Sequence, residues 1–479
     1  MAGSTEKPVS ALPRQPIKKL LAPVKKFLHV EAASGVVLLI FTIIALVLAN
    51  SSAADWFKSL WKTPIEFKFG NFEIKDTFVH LIINDGLMTI FFFVVGLEVK
   101  REIVFGELRS VKKAMLPVLA AIGGMVGPAL VYLSLQYGQP GQRGWAIPMA
   151  TDIAFVVGFL ALFGKRVPFG LKIFLLSLAI ADDIGAVLII AFVFTDALAW
   201  DWLLVAASGF GVTYGLNRLG VRQVNVYVVV GAVIWLAFLK SGVHPTVAGV
   251  LLGLLTPASA WVGDKAFLEV LEETWRRVSA RVANGGDRLE KEVRELEQLS
   301  FAARETISPL HRLELALHPW VAFVIMPLFA FANAGVKLEP AALAEPVAVA
   351  VALGLFIGKP LGIFLISYVA VKAGLTALPR GVSWKLLAGG GCLAGIGFTM
   401  ALFLNGLAFP VAEYPQKEAA GKIGTLAGSL ASAIVGAILI YLATTSPASQ
   451  PDTNQPSEED DHPDEPAESA QSEPAKVEG

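Results

Sequence analysis

The sequence predicts an all-α polytopic membrane protein, and three observations carry that prediction. Of its 479 residues, 55% are hydrophobic and only 16% charged, against roughly 25% charged in an ordinary soluble domain. Mean hydropathy is +0.62. Apolar runs recur along almost the whole chain, whereas a soluble chain of this length divides into about three domains with separate cores.

A bilayer core of roughly 30 Å needs about 20 apolar helical residues. By that measure candidate spans fall at 33–50, 78–99, 114–136, 146–163, 169–195, 200–217, 223–239, 243–256, 316–336, 345–371, 386–410 and 420–444, about twelve in all. The first follows Lys18, Lys19, Lys25 and Lys26. It is too long for a signal-peptide core and lacks a convincing small-residue cleavage site, so it reads as a span. The segment 243–256 is short enough for a half-span.

With the N-terminus inside, Lys and Arg concentrate in the N-terminus and the short inner loops, which puts both termini in the cytoplasm. Only the first outer loop, with four Lys, fits poorly. The net charge of −1 hides an asymmetry: residues 451–479 hold ten Asp/Glu and one Lys, leaving 38 basic against 30 acidic residues elsewhere. No dense basic patch with interleaved aromatics is present, so lipid rather than nucleic acid is the expected partner. The single cysteine, Cys392, excludes a disulfide within the chain and argues against cysteine-based metal sites.

The domains read in order. Residues 1–32 are a cytoplasmic N-terminus, and 33–257 carry spans one to eight. Within the latter, 51–76 alternates in polarity around Gly70-Asn71, a hairpin signal. An isolated hairpin is marginal in water, so it is expected to lie on the bilayer or pair with a second copy; a merely solvated loop is the bland reading. Residues 258–315 form a cytoplasmic insertion with charges and leucines at helical spacing over Phe267–Arg281 and Arg288–Arg304, broken at Asn284-Gly285-Gly286. Its nine Lys/Arg and eleven Asp/Glu balance, which gives no strong pull toward lipid or nucleic acid. Spans nine to twelve occupy 316–444, and the Pro-, Ser-, Glu- and Asp-rich stretch 445–479 reads as a disordered cytoplasmic tail.

Ionisable residues inside a span cost about 2.5–3.5 kcal/mol each on insertion scales, so each is a functional candidate. Here they are Asp85, Asp152, the adjacent Asp182-Asp183 and Lys359, with His244 at the edge of the eighth segment. Two neighbouring carboxylates in hydrocarbon cannot both stay ionised without a cation. Such a pair takes up protons or a small hard cation, and competition for one site is the logic of an exchanger. Two carboxylates that release one monovalent cation can take up two protons, which moves net charge. A helix turns about 100° per residue, so one carboxylate faces a cavity while the other reaches a buried partner. Lys359 is the basic candidate at that depth.

Asp152 lies beside Pro148 and Thr151, which interrupt an apolar run, and LLAGGGCLAGIGFTMALFL (386–404) is a second interrupted span with Thr399 as its polar residue. Half-helix ends carry partial charges that nearby side chains neutralise. Glycines alone signal close helix packing. Interruptions in corresponding places of two halves point to a midplane site in an inverted-repeat transporter, with spans 3–5 and 10–12 as the repeats.

At these residues the sequence resembles the NhaA-type sodium/proton antiporters of bacterial inner membranes. The strings are INDGLMTIFFFVVGLEVKRE (83–102), ATDIAFVVGFLALFGKRVP (150–168), LKIFLLSLAIADDIGAVLIIA (171–191), KSGVHPTVAGV (240–250), HPWVAFVIMPLFAFANAGV (318–336), IGKPLGI (357–363) and GIGFTMALF (395–403). The resemblance implies electrogenic export of sodium or lithium in exchange for protons by alternating access, controlling cytoplasmic pH and sodium, with no cofactor. It implies two discontinuous helices crossing at the midplane. Asp183 is the expected principal ion ligand, Asp182 the partner of Lys359, and Thr151 a lining residue, while Asp152 and Lys359 balance half-helix ends. A pH-response region maps to Glu98, Arg101, Glu102, His244 and Glu314, and the 51–76 hairpin to a homodimer contact.

The sequence departs from that family in the 258–310 insertion, in Leu315 where the family has a histidine, and in the acidic tail. These leave the core intact but open the pH set-point. Without the resemblance, Glu98, Arg101 and Glu102 read as a charged helix end. The alternative function is a sodium- or proton-coupled symporter of a small organic solute, for which no aromatic cage or second anion-binding cluster is visible. An intramembrane aspartyl protease needs carboxylates facing each other from different helices, and adjacent Asp182 and Asp183 diverge. A passive channel needs a ring of like groups that one chain does not supply.

Overall fold

The computed structural model describes residues 31–70, 72–195, 198–221, 223–283 and 289–445. The N-terminal lysine cluster, Asn71 of the hairpin turn, the Asn284-Gly285-Gly286 break and the acidic tail lie outside the described residues.

Among the described residues the regular structure of the chain is helical apart from one hairpin. In order it forms α1 (Glu31–Ala49), α2 (Ala54–Trp61), strands β1 (Pro64–Phe69) and β2 (Phe72–Thr77), then α3 (Val79–Val104), α4 (Val111–Gln136), the interrupted α5 (Gln142–Phe163) and α6 (Phe169–Val193). There follow α7 (Trp200–Arg218), α8 (Val224–Ser241), α9 (Thr246–Leu255), α10 (Asp264–Ala283), α11 (Leu289–Glu305) and α12 (Pro309–Asn333). After a single turn at Pro340–Leu343 come α13 (Pro346–Lys372), α14 (Trp384–Ala394), α15 (Phe398–Ala408) and α16 (Pro415–Thr445).

The bundle is apolar outside and charged inside. Val36, Leu39, Ile40, Ile43, Ile44 and Val47 of α1 are exposed, as are Val228, Val229 and Val233 of α8. Apolar surface this continuous has no place in water. Asp85, Asp152, Asp182, Asp183 and Lys359 are buried instead. In hydrocarbon every backbone polar group must be satisfied internally, which is why the spans are helical.

Among the described residues, eight helices are long and apolar enough to cross a membrane, or ten if each bent pair counts as one span. The expected twelve also count the segments that form α7 and α9. At ten residues α9 rises about 15 Å, half of a bilayer core. α7 begins with Asp201 inside its first turn and ends on Asn217-Arg218, and it falls outside that set. The bent pairs are α1 with α2, at 117°, and α14 with α15, at 46°.

At the first of these bends the chain leaves α1 through Asn50. Its amide donates to the Val336 carbonyl at 2.9 Å and its side-chain oxygen accepts the Leu338 N–H at 2.8 Å. α2, which the sequence reading did not anticipate, lays Phe57 and Trp61 on Phe331 of α12, with ring centroids 5.2 and 5.6 Å away. The hairpin pairs Pro64 with Thr77 and Phe69 with Phe72. That register sets Glu66 opposite Lys75, 2.6 Å apart, and Lys68 opposite Glu73, 3.5 Å apart.

Two glycine-lined contacts fix the helices around the centre. A Cβ on Gly358 of α13 would stand 2.6 Å from the Pro128 Cα of α4, and one on Gly127 would stand 3.0 Å from the Gly362 Cα. Backbone cannot yield as a side-chain tip can, so only glycine lets α4 and α13 approach this closely. In the same way Gly96 and Gly253 hold α9 against α3. The insertion folds as the helical pair α10 and α11, bridged by Arg277 and Glu295 at 3.9 Å. The Glu305 carbonyl accepts the N–H groups of Trp261 and Val262, which closes its base.

Candidate functional site

The centre is built from two interruptions. In α5 a tight helix over Gln142–Met149 carries Pro148, Ala150 turns extended (φ −78°, ψ 150°), and a second half starts at Ile153. α14 ends at Ala394, and α15 starts at Phe398 after Gly395-Ile396-Gly397. The breaks lie on each other: the Asp152 N–H donates to the Ile396 carbonyl at 2.7 Å. A Cβ on Gly397 would stand 2.9 Å from the Ala150 carbonyl oxygen, so the crossing demands glycine there.

Four helix ends with orphan backbone groups meet here, and side chains take them up. Asp152 caps its own half-helix, accepting from the Ala154 and Phe155 N–H groups at 3.1 and 3.4 Å. Its other oxygen accepts the Thr399 N–H of α15 at 3.1 Å and the Thr399 hydroxyl. One carboxylate thus serves two helix N-termini, where negative charge is favoured. Ser429 of α16 accepts the Phe398 N–H at 3.2 Å. On the C-terminal side, the Lys359 amine donates to the Met149 carbonyl, and the Thr151 hydroxyl lies 3.0 Å from the Ala394 carbonyl.

Asp182 and Asp183 stand against this crossing, in the middle of α6. Lys359 Nζ donates to Asp182 Oδ2 at 2.5 Å, and the Thr151 hydroxyl lies 2.7 Å from the same oxygen. That hydroxyl has one proton and serves Asp182 or Ala394 in turn. Lys359 is 0% and Asp182 1% exposed, so the pair has no solvent of its own. Asp182 Oδ1 is buried without a hydrogen-bond partner among the described residues. Asp183 makes no hydrogen bond among the described residues; its charged neighbours are Asp182, Glu98, Lys359 and Asp152. The centre therefore offers hard oxygen donors, one carboxylate held by an amine and one unengaged. A small cation that prefers oxygen ligands fits this donor set, as do protons.

Lys359 is delivered by a widened turn. Gly354–Gly358 is π-helical and leads directly into Lys359 and Pro360. Such turns cluster at functional sites because they re-aim the next side chain.

The residues grouped as a pH-response region lie in two places. At the far end of α3, Arg101 pairs with Glu314 of α12, and Glu98 is within electrostatic reach of both. Glu102 accepts the Glu107 N–H at 2.9 Å and the Ser177 hydroxyl at 3.2 Å. Ser177 sits on α6, five residues before Asp182, and sequence reasoning missed it because a serine in an apolar helix carries no pattern. His244 is elsewhere, at the start of α9. Its Nδ1 lies 2.7 Å from the Thr246 hydroxyl and its Nε2 3.5 Å from Asp85 Oδ1.

Asp85 was visible in the sequence as a mid-span charge, but Asp76 and His80 beside it were not singled out. His80 Nδ1 is 2.8 Å from Asp76 Oδ2 and 3.7 Å from Asp85 Oδ2. At Asp76, in β2, partial burial works against the charged form. The His80 hydrogen bond and charge and the Thr77 N–H outweigh it and hold the carboxyl below its usual range.

Comparison with known proteins gives a consistent result. The family described as Na+/H+ antiporter 1 matches residues 25–440. The chain is 50% identical over 439 residues to the Na(+)/H(+) antiporter NhaA of Rhodopirellula baltica, covering 92% of this chain and 98% of that protein. It is 47% identical over 440 residues to the Na(+)/H(+) antiporter NhaA of Rhizobium meliloti, covering 91% and 98%. It is likewise 47% identical over 429 residues to the Na(+)/H(+) antiporter NhaA 2 of Acidiphilium cryptum, covering 90% and 94%.

Proposed function

The chain belongs to the Na+/H+ antiporter NhaA family, and from its central site we propose that sodium (or lithium) and protons exchange at Asp182 and Asp183. It is a multi-pass membrane transporter and not an enzyme. The observation that carries the site assignment is the asymmetry of the pair: Asp182 held by Lys359, Asp183 beside it without a hydrogen bond among the described residues.

In this reading Asp183 is the first ligand of the entering cation, completed by Asp182 Oδ1 and the Thr151 hydroxyl. Their oxygens suit a small hard cation. Drawing Asp182 toward the cation loosens its bond to Lys359, and protons leave the site. When the cation departs, two protons return for one charge, so each cycle moves net charge across the membrane. Asp152 stays in place and holds the crossing together.

The architecture proposed for this work has twelve helical segments, the ten spans joined by α7 and the short α9. It has inverted repeats α4–α6 and α13–α16, each with its interrupted element in the middle. The direct contact of the two breaks supports that arrangement, and such repeats carry alternating access. The Lys/Arg bias supports cytoplasmic termini and, with bacterial relatives, placement in the inner membrane. The Arg101–Glu314 pair with Glu98 and Glu102 is the proposed cytoplasmic pH-response cluster, linked to α6 through Ser177. His244 faces the opposite end. The hairpin is the proposed homodimer contact, because among the described residues β1 pairs only with β2 and keeps an outer edge for a second copy, while the Glu73 carbonyl of β2 takes the Lys240 amine.

The test is sodium-driven proton movement in proteoliposomes. Asp183→Asn is expected to abolish it; full exchange in that variant removes Asp183 from the site.

A further inference from the structure

We propose that Asp76, His80 and Asp85 form a binding site for a divalent metal ion of the zinc class, at the end of the bundle that carries the hairpin. One nitrogen and two carboxylate oxygens converge there, all within 4.8 Å of one another. His80 Nδ1 lies 2.8 Å from Asp76 Oδ2 and 3.7 Å from Asp85 Oδ2. Around a tetrahedral ion with ligands at about 2.0–2.1 Å, neighbouring donors stand roughly 3.3–3.4 Å apart. Those two distances bracket that value, and the two carboxylate oxygens, within 4.8 Å of each other, draw together by up to about 1.5 Å to seat the ion, with a water in the fourth position.

A second observation is independent of the clustering. Asp85 is 1% exposed, and neither of its carboxylate oxygens has a hydrogen-bond partner among the described residues. A buried carboxylate without partners is costly, and Asp85 points one oxygen at His80 and the other at His244. An ion bound to Asp85 and Asp76 cancels both charges. His244 then orients the carboxylate from its far oxygen, its ring fixed by Thr246; ligands to metals are commonly held this way.

The fold makes the spacing work. On an α-helix, residues five apart diverge by about 140°. Residues Val79–Leu87 are π-helical, and the widened turn, with its i→i+5 bonding, stacks His80 and Asp85 on one side. Asp76 arrives from β2, so the ion joins the hairpin to α3. His80 is half-exposed, which gives the ion a path from water. The imidazole selects the class: nitrogen donors suit Zn2+, whereas Mg2+ and Ca2+ take oxygen sets.

The experiment is equilibrium dialysis of the untagged full chain in detergent, stripped with chelator, against Zn2+. One equivalent per chain is expected to disappear in His80→Ala and in Asp76→Asn, with binding weaker by about tenfold or more. His318→Ala, an exposed histidine on α12, retains it. Co2+ in place of Zn2+ gives a low-symmetry visible spectrum that His80→Ala loses. That variant loses the Asp76 hydrogen bond and melts slightly lower, but keeps its sodium–proton exchange without metal, because His80 lies outside the Asp182–Asp183 site. Zn2+ binding identical in wild type and His80→Ala, no binding in either, or full displacement by equimolar Mg2+ each overturns the proposal.

Discussion

Lys359 Nζ stands 2.5 Å from Asp182 Oδ2, while Asp183, the next residue on the same helix, makes no hydrogen bond among the described residues. Both carboxylates are buried, so the amine divides a symmetrical-looking pair into a held member and an available one. Removing the amine leaves Asp182 buried without its cation, and breaking such a pair from one side costs about 3–5 kcal/mol. Lys359→Leu is therefore expected to lower the melting midpoint in detergent sharply. The double variant Asp182→Asn/Lys359→Leu recovers most of the loss. Equal midpoints for single and double variants contradict the pairing.

The Asp152 carboxylate caps two helices, so its loss counts twice. One cap is worth about 0.5–2 kcal/mol. Thr399→Val removes the hydroxyl half of one cap and keeps the N–H, and is expected to destabilise by less than one cap. Asp152→Ala removes both and is expected to destabilise by roughly twice one cap, read as loss of midpoint in the same melts. Asp152→Ala no worse than Thr399→Val refutes the shared cap.

The Gly358 contact predicts a sharp positional effect. A Cβ there meets the Pro128 Cα at 2.6 Å, while one on Gly211 meets nothing within 4 Å. Gly358→Ala is expected to cost about 1–3 kcal/mol through overpacking and to slow transport, because it displaces the neighbouring Lys359. Gly211→Ala leaves the exchange rate unchanged and does not lower stability, because alanine is the better helix former in the interior of α7.

Arg101 and Glu314 are two halves of one ion pair. Arg101→Gln and Glu314→Gln are expected to move the pH of half-maximal exchange, and the double variant to move it no further than the larger single effect. Additive shifts, measured as rate against pH in proteoliposomes, show that the two residues act separately.

Membrane potential tests the stoichiometry. With two protons per monovalent cation, a potential imposed across proteoliposomes accelerates exchange in one polarity and slows it in the other. A rate indifferent to potential means one-for-one exchange.

Hydrocarbon makes polar residues conspicuous, so Asp152, Asp182-Asp183 and Lys359 were readable from type and depth alone. Pro148 and the glycines at 395 and 397 marked the interruptions because each alters the backbone itself. What sequence spacing hid depends on departures from the ideal helix. His80 and Asp85 face apart at 100° per residue and together on the widened turn at Val79–Leu87. α9 was legible as a half-span from its short apolar run, whereas its close seating on α3 through Gly249 and Gly253 shows only in the fold. α2 was hidden because its aromatic anchor, Phe331, lies some 270 residues away in the chain. Ser177 carries meaning only once Glu102 is beside it.

The bonds at Asp152 also decide which parts of the molecule travel together. Its N–H holds Ile396, and its side chain holds Ala154, Phe155 and Thr399. Neither interrupted helix can swing without the other unless several bonds break at once. In the proposed alternating access the crossing is then an axle: the surrounding helices turn about it, or it is carried whole. Asp182 of α6 is tied to that knot through Lys359 and the Thr151 hydroxyl, whereas Asp183 beside it makes no hydrogen bond among the described residues, so of the two proposed ligands Asp183 is the one left free to move.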